Sequence, residues 1–252
     1  MAETTPAFIA DEAISVQEAA RKLAAPARSA FEKDGDLAKV ESELGSLWSD
    51  VLTAAEQTPH GQQERLVEIL RAIKELPQPV HESKKLEIWD QEQHWNELPL
   101  FGANCRDHLG IAQGKSGDAF TNLNAFYARI TATNVHDLGL YAIWIIREAL
   151  EDPEEGKIAK ETSPDLLHAA SVWFVYAAES LATLSEDQKQ FDGKIARPGK
   201  SLLARQDEAG WKGFSSDRWQ IWLDRLASLK DADLTPEVKS SISQALDKAF
   251  GN

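Results

Sequence analysis

The sequence predicts an all-α protein, an irregular bundle of about eight to ten helices in one compact domain. Apolar residues recur at spacings of three and four along most of the 252-residue chain, which is the period of an amphipathic helix. No stretch alternates apolar and polar residues for long enough to predict a strand. Capping residues precede several of the apolar stripes and set where the helices begin.

Three amphipathic helices are predicted in the first third of the chain. Ser15 and Glu18 form a capping-box pattern at the start of the first, and Pro26 predicts a kink or a break within it. The apolar stripe of the second helix ends near Thr58. Because Thr58 and Pro59 match a cap followed by a first helical position, we expect the third helix to begin there.

The sequence predicts one helical domain, residues 15–252, after a flexible N-terminal segment, residues 1–14. The polar segment 77–85 holds two prolines that keep the backbone extended, so a subdivision of the domain is expected there if anywhere. Residues 89–101 carry tryptophans and other apolar residues without a clean stripe. We expect a short helix and an irregular turn in this region, with Trp89 in or beside the core.

The most apolar helices are predicted near the middle of the chain. Residues 118–133 place their aromatic residues on one face, and residues 137–151 are apolar on every side, which is typical of a buried central helix. Three later helices begin at cap patterns: Ser163–Pro164, Ser215 or Ser216, and Thr235–Pro236 with Gly251 as the stop.

Charge and cysteine content exclude several classes of protein. The 27 basic and 41 acidic residues leave a net charge of −14 at pH 7, which opposes binding to nucleic acid and to anionic membranes. The lone cysteine, Cys105, excludes an internal disulfide framework and fits a reducing compartment. The first residues lack a basic, apolar leader, and no apolar run is long enough for a membrane helix, so we expect a cytoplasmic protein.

Two glycine-rich stretches resemble phosphate-binding loops but lack the required context. Gly110 and Gly114 enclose three residues where the loop needs four, and the preceding segment is polar rather than a buried strand. The second Gly-Lys-Ser begins at Gly199, and five residues separate it from Gly193 where the loop needs four. Both are therefore interpreted as turns before helices, and no cofactor is expected.

Metal ligation and nucleophilic catalysis also lack a specific motif. Asp90, His94 and Glu97 share a face of the short helix expected there, but a solvated helix face often has this spacing. Cys105 and His108 form a pair without the second cysteine pair that zinc sites use. No nucleophile elbow occurs, so we expect no metal and assign no catalytic residue.

One polar cluster is predicted near the buried central helix. If the helices flanking residues 134–136 form an antiparallel hairpin, then Asn122, Asn124, Arg147 and Glu148 meet at one level. A buried charge needs a partner, so such a cluster could line a binding pocket. The simpler interpretation, which we favour, is that Arg147 complements the helix dipole in the last turn and reaches solvent.

The tryptophans suggest one further binding residue. The chain has eight, and most are expected to pack in the core because an aromatic residue at helical spacing is usually buried there. Trp211 differs because it stands in a loop flanked by glycines. We predict that it forms the rim of a cleft or the anchor of a partner.

Three segments carry a resemblance to a known family: residues 95–102, 122–151 and 210–226. They resemble a mostly fungal family of helical proteins known as a domain of unknown function. The block from Gly213 to Trp222, Gly-Phe-Ser followed by Arg-Trp and a second Trp, is the most specific element. The resemblance implies a helical cytosolic protein and adds no catalytic residue. The segment 201–210 is less rich in glycine than the family pattern.

Two functional hypotheses follow. The first is a non-catalytic binding or interaction module, whose partner is an unknown protein or a small hydrophobic molecule. The alternative is a cofactor-independent enzyme acting on a small hydrophobic metabolite in an aromatic, mainly apolar pocket, with polar groups such as Arg147, Glu148 and Asn124. The absence of a catalytic motif favours the first, and whether the protein is an enzyme stays open.

Overall fold

Helices form nearly all of the regular structure, and they divide between two compact units, residues 1–126 and 127–252. A computed structural model of the protein describes residues 7–115, 117–204 and 210–251. The all-α prediction is confirmed. The predicted connector, residues 77–85, lies inside the first unit, and the single domain stays a prediction. The flexible N-terminal segment and the glycine-poor segment predicted above lie partly outside the described residues.

In the first unit, α2 (Val16–Asp34) packs against both α3 (Leu37–Gln57) and α4 (Glu64–Lys74). A two-stranded antiparallel hairpin, β1 and β2, is the one sheet among the described residues. The elements are α1 Ala7–Ala10, α2 Val16–Asp34, α3 Leu37–Gln57, α4 Glu64–Lys74, β1 Glu87–Ile88, β2 Gln91–Glu92, α5 Phe101–Gln113 and the first part of α6 Ala119–Ala132, with 3₁₀ turns at His60–Gln62 and Trp95–Glu97.

The first helix begins as predicted but does not break at Pro26. The Ser15 hydroxyl accepts a hydrogen bond from the Glu18 amide at 3.2 Å, which is the predicted cap. Pro26 lies inside α2, and the helix continues to Asp34. Of the two predicted outcomes, the break was wrong because α2 buries apolar side chains on both sides of Pro26, among them Leu23 and Phe31, and the kink stays a prediction. This packing offsets the lost backbone hydrogen bond.

The predicted start of the third helix was also wrong. Thr58 ends α3 instead of capping α4, because its hydroxyl donates to the Ala54 carbonyl at 2.7 Å. A 3₁₀ turn follows, and α4 begins only at Glu64. Gln63, which is fully buried, donates from its amide to Ala55 and Thr58 carbonyls and so fixes this connection.

A hairpin at residues 87–92 and a 3₁₀ turn at Trp95–Glu97 occupy the region where a short helix was predicted. Trp89 and Asp90 occupy the hairpin turn with φ of 53° and 60°, and both lie in the left-handed region. Trp95 is buried, and its indole N–H donates to the Ile73 carbonyl at 2.8 Å. Trp89 is 65% exposed, so its predicted place in or beside the core was wrong.

In the second unit, α9 (Pro164–Glu186) packs against α7 (Gly139–Ile146), α10 (Ser216–Ser228) and α11 (Pro236–Ala249). All three predicted caps are confirmed, because the hydroxyls of Ser163, Ser215 and Thr235 accept backbone N–H groups at their helix starts. The elements are the rest of α6, α7 Gly139–Ile146, a π-helical turn Arg147–Glu151, a 3₁₀ turn Glu155–Lys157, α8 Ile158–Glu161, α9 Pro164–Glu186, a 3₁₀ turn Lys200–Leu202, α10 Ser216–Ser228 and α11 Pro236–Ala249.

The predicted helix over residues 137–151 changes character part of the way along. Its α-helical part, α7, ends at Ile146, and the chain continues as the π-helical turn. Such turns are rare and frequently occur at functional sites. No described helix is both long enough and apolar enough to cross a bilayer.

Candidate functional site

The π-helical turn ends in a carboxylate that is completely buried. Glu151 is 0% exposed. Its two oxygens accept hydrogen bonds from Arg218 Nε at 2.7 Å and Nη2 at 3.0 Å, from Trp222 Nε1 at 2.5 Å and from the Gly199 amide at 2.7 Å. A buried charge is tolerated only with an opposite charge and satisfied lone pairs, and Glu151 has both.

Arg218, the partner of Glu151, is equally buried. Its remaining N–H groups donate to the carbonyls of Ala196 and Gly213 at 2.8 Å and to that of Arg197 at 3.3 Å. The guanidinium therefore joins the π-helical turn to two loops that precede α10. This wide use of a planar, multidentate donor is specific to arginine.

A second arginine of α10 fixes the backbone around the same turn. Arg225 donates to the Leu150 carbonyl, to the Pro153 carbonyl at 3.2 Å and to Ser201 Oγ at 3.0 Å. The Ser201 hydroxyl in turn donates to the Glu151 carbonyl at 2.6 Å. Carbonyls at the end of a helix lack intrahelical donors, and here arginine and serine side chains supply them.

Two glycines allow the close approaches that this network needs. A Cβ at Gly199 would lie 2.5 Å from Glu151 Cβ, and one at Gly213 would lie 2.0 Å from the Lys189 carbonyl oxygen. Neither site has room for a side chain, so each glycine is required by packing. The Gly-Lys-Ser at Gly199 therefore takes part in the contacts among Glu151, Gly199, Arg218 and Trp222, which we call the carboxylate network.

The sequence block that carries the family resemblance now has a structural explanation. Gly213 allows the loop to pass close to Lys189, and Ser215 caps α10. Arg218 and Trp222 bind Glu151. Sequence reasoning missed Glu151 and Arg218 as partners. The available signal was a carboxylate at the end of a largely apolar helix and an arginine four residues before a tryptophan.

An open cleft of about 610 Å³ lies beside the π-helical turn, and we call it the Arg147 cleft. Two of the predicted binding residues, Arg147 and Glu148, line it together. The lining comprises Arg147, Glu148, Asp152, Pro153, Glu161, Thr162, Ser163, Leu166 and Lys200.

Arg147 is partly withdrawn from water at the cleft. Its Nη1 donates to the Ile195 carbonyl at 3.3 Å. Burial lowers the pKa of its guanidinium, the Asp152 carboxylate opposes this shift, and the positive charge of Arg218 lowers the pKa further. The cation is thus only partly compensated by the groups around it.

The other predicted binding residues have separate surroundings. Asn122 donates to the Glu56 carbonyl at 3.0 Å and accepts from the His60 amide at 2.9 Å, while Asn124 donates to the Phe120 carbonyl at 2.8 Å. These contacts lie within the first unit. The meeting of the two asparagines with Arg147 and Glu148 stays a prediction.

Trp211 lines another cleft of the second unit, of about 530 Å³, together with residues such as Gln190 and Lys212. Only 5% of its surface is exposed. Its indole is therefore largely enclosed by the protein, and a role as a partner anchor stays a prediction.

A polar cluster of the first unit escaped sequence analysis. The buried Glu56 carboxylate accepts from His108 Nδ1 at 3.2 Å and from Lys115 Nζ. Burial alone would raise the pKa of Glu56, but the hydrogen bonds from His108 and Lys115 more than offset it and hold the pKa below 4.5. Cys105, one turn before His108, is buried. The cluster joins α3 to the end of α5.

The residues considered as metal ligands do not share a helix. Asp90 lies in the hairpin turn, His94 precedes a 3₁₀ turn and Glu97 ends it, so the predicted helical face was wrong. Within residues 7–115, 117–204 and 210–251, no three His, Cys, Asp or Glu side chains gather in a way that could hold a metal ion.

Comparison with known proteins identifies a family. The model of a protein family described as "Protein of unknown function (DUF3632)" matches residues 48–226. No curated protein and no solved structure matches the chain significantly. The matched range includes Glu151, Gly199, Arg218 and Trp222, so it contains the whole carboxylate network.

Proposed function

We propose that this chain, which belongs to the family described as a protein of unknown function (DUF3632), is a non-catalytic binding module. Its ligand is a small polar molecule or a peptide end that carries both a positive and a negative charge. The ligand binds in the Arg147 cleft. The cleft volume of about 610 Å³ lies within the range of small-molecule sites.

The observation that carries the proposal is the mixed charge of the cleft lining. Arg147 and Lys200 supply cations, and the carboxylates come from Glu148, Asp152 and Glu161. A ligand with a carboxylate and an ammonium group can pair with both signs at once. Charged and hydrogen-bonding groups of this kind fix the orientation of a ligand in a site.

The charge on Arg147 supports a carboxylate as one end of the ligand. Burial and the nearby Arg218 disfavour the charged guanidinium, as the direction of its pKa shift indicates. A ligand carboxylate would stabilise the charged guanidinium of Arg147 by accepting a charge-assisted hydrogen bond, which is stronger than a neutral one.

The carboxylate network supports a preformed site. Asp152 directly follows Glu151, and Lys200 directly follows Gly199, so the Glu151–Gly199 hydrogen bond holds both backbones in place. The Lys200 amide also donates to Asp152 Oδ1 at 2.9 Å. A site held in this way loses little entropy on binding, which favours affinity for a small ligand.

The charged lining of the Arg147 cleft does not favour a small hydrophobic ligand. It also does not favour the alternative hypothesis of an enzyme with an aromatic, mainly apolar pocket. The Arg147 cleft has no aromatic side chain among its described lining residues, and the Trp211 cleft has one. We therefore propose binding without catalysis. We also propose a cytoplasmic location and no nucleic-acid partner, because the chain has a single cysteine and a net charge of −14.

The test is a titration of the ¹⁵N-labelled protein with triglycine, followed by amide chemical shifts. We expect shifts in residues 147–152 and at Lys200. Triglycine amide and N-acetyl-triglycine, which each lack one charge, should bind about tenfold more weakly, since one lost charge-assisted hydrogen bond is worth about 1.4 kcal/mol or more.

Matched variants separate the cleft from the general charge of the protein. Arg147→Gln and Glu148→Gln should each weaken triglycine binding by about tenfold. Glu186→Gln, near the opposite end of α9 on an exposed surface, removes the same negative charge as Glu148→Gln and should bind like the parent. Equal affinity for all three peptides, or no shift near Arg147, would overturn the proposal.

A further inference from the structure

We infer that the tip of the β1–β2 hairpin docks a lysine- or arginine-rich segment of a partner protein. The tip consists of Trp89 and Asp90 in the turn, with Glu87 in β1 and Glu41 of α3 beside it. This surface belongs to the first unit. It is independent of the Arg147 cleft.

Trp89 is the one tryptophan among the described residues that is exposed, with 65% of its surface accessible. The others are buried or half-buried. A tryptophan carries a large apolar surface, and buried tryptophans dominate the binding energy of many protein interfaces. A fixed, exposed indole at the tip of a hairpin therefore has the form of an anchor for a partner.

The backbone at the tip is unfavourable for the residues that occupy it. Trp89 and Asp90 both have left-handed φ, 53° and 60°. Two-residue turns of this kind prefer Asn-Gly or Asp-Gly, since a bulky residue is strained at positive φ. Strained positions of bulky residues cluster at sites of function. The turn thus holds a tryptophan where folding alone would favour asparagine or glycine.

The indole is held in place by one hydrogen bond. Trp89 Nε1 donates to Glu41 Oε1 at 3.0 Å. This contact uses the ring edge and fixes the side chain, while most of the ring surface stays accessible to water. An oriented ring binds with a smaller entropy loss than a freely rotating one.

The charges around the ring select a cationic partner. Asp90 is exposed and has no ion-pair partner among the described residues. Glu87 is exposed as well, but the Lys85 ammonium, which pairs with Glu92 at 2.6 Å, also interacts with the Glu87 carboxylate. Lysine or arginine can lie over the indole face and pair with these carboxylates. The net charge of −14 opposes a second copy of the chain and an anionic membrane as the occupant.

The test is fluorescence anisotropy of a labelled 12-residue peptide that repeats Gly-Ser-Lys, with a Gly-Ser-Glu repeat as its counterpart. The basic peptide should bind and the acidic one should not. Trp89→Asn keeps a residue that tolerates the left-handed turn, and Asp90→Asn removes one charge with little change in shape. Each should weaken binding of the basic peptide at least tenfold.

Controls make the result specific to the tip. Glu68→Gln, at an exposed position of α4, removes one carboxylate from the same unit and should bind like the parent. Unfolding curves should show Trp89→Asn to be at least as stable as the parent, because asparagine tolerates positive φ better than tryptophan. Triglycine binding in the Arg147 cleft should be unchanged in this variant, so the two proposals can fail separately.

Three results would overturn the inference. The first is equal binding of the basic peptide by the parent and Trp89→Asn. The second is an equal loss in Asp90→Asn and Glu68→Gln, which would indicate nonspecific attraction. The third is a parent protein that sediments as a dimer and a Trp89→Asn variant that sediments as a monomer, which would assign the tip to a second copy of the chain.

Discussion

Replacing Glu151 by glutamine tests whether the buried carboxylate holds the second unit together. Glutamine has nearly the same shape, but it leaves the Arg218 guanidinium buried without an opposite charge. The carboxylate accepts four hydrogen bonds, from Arg218 Nε, Arg218 Nη2, Trp222 Nε1 and the Gly199 amide. In glutamine one of its two oxygens is replaced by an NH₂ group, which cannot accept a hydrogen bond from these donors. Breaking a buried ion pair in this way costs about 3–5 kcal/mol.

The magnitude can be measured by urea unfolding followed by near-ultraviolet circular dichroism, because Trp222 binds Glu151 directly. A loss of about 3–5 kcal/mol corresponds to a fall in Tm of roughly 6–20 °C for a protein of this size. Arg218→Met should cost a similar amount. The double variant should cost well below the sum, because each single change already leaves the other charge unpaired.

Two outcomes would refute this reasoning. If Glu151→Gln lowers the free energy of unfolding by less than about 1 kcal/mol, the carboxylate does not carry a charge that Arg218 needs. If the two single losses add in the double variant to within about 0.5 kcal/mol, the two residues act independently and the hydrogen bonds between them are energetically unimportant.

Two further predictions address a glycine and a titratable cluster. Gly199→Ala should destabilise by about 1–3 kcal/mol in thermal unfolding, because the new Cβ would lie 2.5 Å from Glu151 Cβ, whereas Gly156→Ala, with no atom within 4 Å of its Cβ, should cost far less. Glu56→Gln should lower stability at pH 7, since the folded-state pKa of Glu56 lies below its ordinary value of 4.5. This stabilisation is present above about pH 4.5 and is lost as the pH falls through the folded-state pKa. Urea unfolding from pH 7 to pH 3 should therefore show the difference from the parent narrowing, and a constant difference would contradict it.

Local signals predicted much of the helical framework. Ser15, Ser163, Ser215 and Thr235 cap helices as expected, because a capping hydroxyl binds an amide only two or three residues away. Pro26 shows the limit of such rules. The backbone hydrogen bond lost at Pro26 is a local cost that the sequence shows. The apolar side chains that stabilise α2 pack on residues distant in sequence, and these contacts cannot be inferred from the local pattern.

The hairpin was missed for a different reason. Each of its strands has only two residues, so no alternation of apolar and polar residues can develop. The turn at Trp89 and Asp90 also lacks the glycine or asparagine that would mark it. Because tryptophan is usually buried, composition predicted the opposite of the observed exposure.

The carboxylate network could not be predicted because its partners are remote in sequence. Glu151 and Arg218 are 67 residues apart, and Arg225 binds a carbonyl 75 residues away. Sequence analysis selected Arg147 and Glu148 from an expected helical hairpin, and both line one cleft. The turn that brings them there is π-helical and ends in a buried charge, and neither feature has a periodic signal.

The most specific block of the family resemblance is explained by folding without any reference to chemistry. Gly213, Arg218 and Trp222 are each required to build or seal the surroundings of Glu151. A match to this block therefore indicates that a protein shares the fold around the carboxylate. In the proposed function, ligand choice depends instead on residues that line the Arg147 cleft and lie outside this network, such as Glu148 and Glu161. Experiments on function should begin with those side chains, because changing the block itself mainly changes stability.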